Sequence, residues 1–160
     1  MFKLNYLKKN KLSILIAILL LLLILVEARG QGDFDIFLQA SKDLFAKKNI
    51  YQIQYHDWYH YYYDTLFAII IAPLNILSLY WATFIWLLLN VFFTFRIWKI
   101  ILSYLPTDLL NKKQIQMLTL ISFAFIFTLW HKNIHLSQMT IFILYLCLEG
   151  LFQIKNQKLI

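Results

Sequence analysis

The 160-residue sequence predicts an all-α, polytopic membrane protein formed by a single domain, residues 1–160. Hydrophobic residues make up 61% of it and charged residues only 14%, where soluble domains carry roughly 25% charged. Four long apolar stretches approach the length of a membrane crossing, and most of the Lys and Arg stand near their ends. Five Trp and ten Tyr supply the interfacial side chains that such a chain uses.

Taken in order, residues 1–11 form a Lys-rich cytoplasmic tail and residues 12–28 a first membrane helix. A secretory signal would need a small-residue cleavage site, and Val26-Glu27-Ala28-Arg29-Gly30 makes a poor one. The first helix is therefore expected to stay uncleaved. An outer loop covers residues 29–78, followed by membrane helices over 79–102, 115–130 and 139–154. A cytoplasmic loop, 103–114, links the second and third, with Pro106 and the Asn111-Lys112-Lys113 turn breaking the helix. A short outer loop, 131–138, links the third and fourth. The net charge of +7 is spread over the ends of these stretches, which fits orientation in a bilayer and not nucleic-acid binding. Cys147, alone in an apolar run, is a small hydrophobic residue with no disulfide partner in the chain.

The orientation depends on residues 65–77, an apolar stretch holding Pro73 and Asn75. If it stays on the outer face, ten cations lie inside: Lys3, Lys8, Lys9, Lys11, Arg96, Lys99, Lys112, Lys113, Lys155 and Lys158. Five lie outside: Arg29, Lys42, Lys47, Lys48 and Lys132. A full crossing reverses the ratio, so the interfacial or re-entrant placement is expected, with the N-terminus cytoplasmic.

Within the outer loop Phe34, Phe37, Leu38, Ser41, Leu44 and Phe45 fall on one helical face, with Asp35, Gln39, Lys42 and Asp43 opposite. This spacing predicts an amphipathic helix along the membrane surface, with Asp33 capping its start. Tyr51, Tyr55, Trp58, Tyr59, Tyr61, Tyr62 and Tyr63 follow, a density expected at the headgroup level.

Asp33 and Asp35 are the leading chemical candidates. A carboxylate at a low-dielectric rim can act as general base toward a hydroxyl, or hold a divalent ion beside a phosphate. The plain alternative is a helix cap beside a solvated acid. In the second outer loop His135 and Gln138, with His131, Lys132 and Asn133, offer donors for a phosphate or for sugar hydroxyls; the alternative is a polar turn. Tyr62 belongs to a run whose rings can stack on a sugar or simply anchor at the interface. His56 and His60 lack the further ligands of a zinc site. Glu149 is an acid inside an apolar helix, a functional candidate unless it reaches Lys155 or the interface. Arg96 and Lys99 are expected to snorkel inward. No Gly-rich phosphate loop or Ser-centred elbow is present.

In order along the chain stand Asp33-Phe34-Asp35-Ile36-Phe37, Asn49-Ile50-Tyr51, the Tyr-rich run from Tyr61 to Leu74, Trp86 to Asn90, and Ser137-Gln138-Met139-Thr140-Ile141. This set resembles glycosyltransferase family 87, the polyprenol-phosphate-mannose-dependent mannosyltransferases of the GT-C superfamily. The resemblance extends over nearly all the chain after Arg29 and covers the N-terminal part of such an enzyme. It departs from the family pattern at Asp64-Thr65, where prolines are usual, and at Ser137, where glycine is usual.

The resemblance implies a GT-C-like N-terminal module with about four membrane helices and outer juxtamembrane helices. It implies a hexosyltransferase, with Asp33 as base and Gln138 in the substrate site, moving mannose from a polyprenyl-phosphate donor to a glycolipid or glycan acceptor. The expected site is Asp33 and Asp35 for catalysis, with Gln138, His135, Lys132 and Tyr62 on substrate. No cofactor is assigned, and a divalent metal stays open. The expected setting is the plasma (inner) membrane, among lipids and without nucleic acid, with a C-terminal half or partner subunit completing the fold. The alternative is a non-catalytic membrane scaffold or partner subunit.

Overall fold

In the computed structural model the chain is mostly helical; residues 2–30, 32–56, 58–105 and 110–155 are described, with side chains from Lys11 onward except Leu12. Pro106 and Lys158, to which the sequence assigned roles, lie outside the described residues. Six α-helices follow in order: α1 (Phe2–Glu27), α2 (Asp33–Phe45), α3 (Thr65–Ile71), α4 (Leu79–Tyr104), α5 (Lys112–His135) and α6 (Thr140–Lys155). A 3₁₀ turn, Ala72–Ile76, extends α3. The exception to the all-α expectation is a small antiparallel ladder, β1 (Gln54–Tyr55) with β2 (Tyr59–His60), which pairs Gln54 with His60 and Tyr55 with Tyr59.

Helix α1 starts ten residues ahead of the apolar run, because no Gly or Pro separates the Lys-rich start from it. Helix α5 begins with a reciprocal cap: the Asn111 side chain accepts from the Gln114 N–H, and the Gln114 side chain accepts from the Asn111 N–H. It ends at His135, so His131, Lys132, Asn133 and His135 belong to its last turns and not to a loop. Lys132 and His135 there complement the negative end of the helix dipole.

Two of these helices, α4 and α5, are long and apolar enough to cross a membrane. Their surfaces fit that medium. On α5 the buried residues are Trp130 and Ile134, while Leu120, Phe125 and Leu129 are 70% exposed or more. A water-soluble helix of this composition would bury such side chains. The α3 segment is too short to cross. Seven α-helical residues and five 3₁₀ residues extend only about 20 Å, against a hydrocarbon core of about 30 Å.

The buried residues form two clusters. One joins α2, the hairpin, α3, Trp86 and Met139 around Phe34, Phe37, Tyr61 and Phe67. The apolar face of α2 is thus covered by protein, not laid on the membrane, and only Phe45 of that face stays largely exposed. Aromatic edges and a Ser41 hydroxyl donating to the Ala68 carbonyl at 2.7 Å close this contact. Tyr55 and Tyr61 are drawn into the same cluster, leaving Tyr51, Trp58, Tyr59 and Tyr62 at the surface. The second cluster joins α1, α4, α6 and the end of α5 through Ile24, Leu87, Phe93, Trp130 and Ile134.

Helices α4 and α6 are also locked by charge. Arg96 donates from Nε and an η nitrogen to both oxygens of Glu149, at 2.7 and 2.8 Å, and Gln153 adds a third donor at 2.6 Å. Glu149 is thus paired with Arg96 and not with Lys155, which sits over the Tyr104 ring instead. Glu149→Leu is expected to cost about 1–3 kcal/mol, less than the ~3–5 kcal/mol of a fully buried pair because Arg96 is a third exposed. The double variant Arg96→Leu/Glu149→Leu is expected to recover most of that loss, since no charge is then stranded. Thermal melts of the purified protein in detergent measure both.

Candidate active site

Gly32 is the joint on which the site turns. Its φ of −107° and ψ of −177° suit any residue, so glycine serves here for space and not for conformation. A Cβ on it would lie 2.6 Å from the Leu136 carbonyl oxygen and 2.8 Å from the carbonyl carbon. With that space empty, the Asp33 N–H donates to the Leu136 carbonyl at 2.9 Å. Ser137 then takes left-handed backbone, φ 51°, and turns the chain back toward α2. Gln138 Nε2 consequently donates to Asp33 Oδ2, a long bond of 3.4 Å between residues 105 apart in sequence. Asn133 Nδ2 donates to Gln138 Oε1 at 3.3 Å and holds the amide from behind.

Trp86 clamps the joint from α4. Its Nε1 donates to the Ser137 carbonyl at 3.1 Å, and its ring stacks on Phe34 with centroids 5.1 Å apart and 7° between planes. Three segments thus meet at one place: Phe34 and Asp33 from α2, Trp86 from α4, and Ser137-Gln138 after α5.

Asp33 is the first residue of α2 and not its cap. Gly32 holds the cap position and has no side chain to bond the free N–H groups. The carboxylate is therefore free to face Gln138, while the positive end of the helix dipole favours its charge. Residues two apart on a helix do not share a face, so Asp35 points elsewhere. Asp35 Oδ2 lies 2.7 Å from His56 Nε2 on the hairpin turn. Tyr62 is 79% exposed, its ring beside that of His60. Its neighbour Tyr63 is the tyrosine near Asp33; burial and then the Asp33 charge raise its hydroxyl pKa.

His135 also goes elsewhere. Its Nδ1 lies 2.8 Å from Glu27 Oε2, while His131 Nε2 lies 3.5 Å from Glu27 Oε1. The two imidazole rings are parallel, 6.3 Å apart, and tie the end of α1 to the end of α5. Lys132 stands exposed between them in sequence and makes no ion pair among the described residues. Of the residues marked in the sequence, Asp33 and Gln138 meet; Asp35, His135 and Tyr62 are each held apart from that pair.

Among the described residues no group of three or more His, Cys, Asp or Glu side chains converges as metal ligands. Asp33 and Gln138 alone are a thin donor set for a divalent ion, which takes six or more oxygens. The pair suits proton transfer better: a carboxylate oriented by an amide, within a partly buried rim.

A cleft of about 760 Å³ opens along α1, α4 and α5. Its walls include Leu20, Val91, Phe95, Phe123, Ile126 and Trp130, with Thr94, Thr119 and Ser122 as the few polar groups. Trp130 Nε1 donates to Thr94 Oγ1 at 3.0 Å at the Trp130 end of the cleft, four residues before Ile134 at the joint. Its size is that of small-molecule pockets, and its lining is that of a hydrocarbon site.

Comparison with known proteins finds no matching family model, no similar curated protein and no similar solved structure. What the molecule can do is therefore read from its own geometry. Sequence reasoning gave no site role to Gly32 or the partner Glu27; it named Trp86 only within a motif, Tyr63 only within the tyrosine run, Asn133 only as a loop donor and His56 only as a weak metal candidate. The Gly-x-Gly-Asp spacing before a helix was the one local signal for a close backbone approach.

Proposed function

We propose that this chain is a four-span, multi-pass protein of the plasma (inner) membrane, N-terminus inside, that transfers a hexose from a polyprenyl-phosphate donor on the outer face. Mannose is the expected sugar, and a glycolipid or glycan hydroxyl the expected acceptor. One observation carries this reading. The two motif positions that the family resemblance marks, Asp33 and Gln138, lie together although 105 residues separate them.

Asp33 Oδ2 takes the acceptor proton as that hydroxyl oxygen forms its bond to C1. The C1–O bond to phosphate breaks on the opposite face, and the polyprenyl phosphate leaves with the electron pair. The anomeric centre inverts. Gln138 orients the Asp33 carboxylate, and Lys132, exposed on the last turn of α5, supplies positive charge for the leaving phosphate, while His135 is engaged by Glu27. The apolar cleft between α1, α4 and α5 suits an isoprenoid chain entering from the bilayer.

A second reading is favoured by the bare apolar flanks of α1 and α5: a non-catalytic partner subunit whose helices pack on another protein. The two diverge in one assay. Proteoliposomes holding the full chain are supplied with radiolabelled polyprenyl-phosphate-mannose together with membrane lipid extract as acceptor. Transfer of label to lipid or glycan above that of empty vesicles is expected. Donor left intact by the chain would sink the enzyme reading and leave the partner subunit.

A further inference from the structure

The hairpin that grips Asp35 presents an unusual surface. Trp58 and Tyr59 are 68% and 42% exposed, their ring centroids 4.1 Å apart at 32°, so they offer a broad tilted aromatic face. Immediately beside it His56 holds Asp35 at 2.7 Å, and the Trp58 N–H donates to the His56 carbonyl at 2.9 Å. His56 takes left-handed backbone, φ 47°, uncommon for a residue with a side chain. Gln52 and Gln54 stand exposed on the same side of the chain.

The chemistry of this patch selects its ligand. The aliphatic residues of the segment, Ile50 and Ile53, turn inward and pack in the core. No Lys or Arg occurs between residues 49 and 64, and the Lys48 ammonium near β1 is already paired with Asp43, which also accepts from the Tyr55 hydroxyl. What remains is aromatic faces next to a carboxylate, an imidazole and amides. A sugar ring has the matching form: one face of C–H groups to lie on a ring, and a rim of hydroxyls to donate to and accept from polar side chains.

We propose that the β1–β2 hairpin is a binding site for a neutral sugar, with Trp58 and Tyr59 under the ring and Asp35 and His56 reading its hydroxyls. Asp35 shares the first turn of α2 with Asp33, so the hairpin adjoins the element that carries the site. Its role as the acceptor subsite rests on the glycosyl-transfer reading; the binding itself does not.

The full chain, purified in detergent, is applied to an array of immobilised neutral oligosaccharides ending in mannose, glucose or galactose. Retention on at least one glycan is expected, reduced tenfold or more in Trp58→Ala and in Asp35→Asn. Trp58 lies at the surface and Asp35 is partly buried, so circular dichroism checks that each variant keeps its helices. Retention with no sugar transfer in the labelled-donor assay would keep the site and discard the enzyme. Absence of retention on every glycan, or equal retention by Trp58→Ala, overturns the proposal. So does quenching by brominated phosphatidylcholine that disappears in Trp58→Phe, which would make the hairpin a membrane anchor.

Discussion

Asp33→Asn is expected to lower sugar transfer at least ~100-fold while leaving helix content and donor affinity near those of the unaltered chain, since a positioned general base contributes about 10²–10⁴. Asparagine has the same shape and still meets Gln138, so the joint of Gly32, Leu136 and Trp86 survives. Only the capacity to accept a proton is lost. A fall in kcat with little change in KM is the pattern for an interaction made at the transition state. Asp35→Asn serves as the internal comparison. That carboxylate is held by His56 and faces away from Gln138, so its loss is expected to raise the acceptor KM and to spare most of kcat. Equal loss of kcat in both variants would remove Asp33 from its assigned place.

Gly32→Ala is the second large effect, and its cause is steric. The new methyl would stand 2.6 Å from one backbone atom and 2.8 Å from another, neither of which can swing aside like a side chain. Either α2 shifts outward or the Leu136-Ser137 turn does. Both movements break the bond from the Asp33 N–H to the Leu136 carbonyl, worth about 0.5–1.5 kcal/mol, and add overpacking strain of about 1–3 kcal/mol. Both also widen the gap between Gln138 and Asp33, already 3.4 Å. The expected result is a lower Tm in detergent together with loss of transfer. Gly30→Ala is the control: its nearest obstacle is 3.2 Å away, and a small change is expected. Identical melts and turnover for Gly32→Ala and the unaltered chain would show that the close approach has no consequence.

Much of the helical plan was legible because apolar runs and their polar ends are local properties. Helix α4 starts at Leu79, where the apolar stretch does, and Pro73 interrupts the helical hydrogen bonding of the α3 segment as its missing N–H requires. What covers each apolar face was not legible. The spacing of Phe34, Phe37, Leu38 and Ser41 demands an apolar contact, but membrane and protein satisfy it alike; here α3 and the hairpin do so. The same holds for the site. Asp33 and Gln138 could be marked one by one, yet nothing local distinguishes the direction of Asp33 from that of Asp35. The i, i+2 relation on a helix does distinguish them, once Asp33 is known to lie inside the helix and not at its cap. Pairings such as Glu27 with His135, 108 residues apart, leave no trace in any local window.

The indole of Trp86 has an implication for biogenesis. It contacts an α2 ring and a carbonyl beyond α5, so α4 braces both sides of the direct contact between α2 and the turn after α5. A ribosome delivers the acid long before the amide that orients it. The acid must therefore wait, exposed and idle, while two further hydrophobic segments are threaded into the bilayer. A chain halted at that stage would lack the Asp33–Gln138 contact, and residues 32–78 excised from the chain could not form it at any concentration.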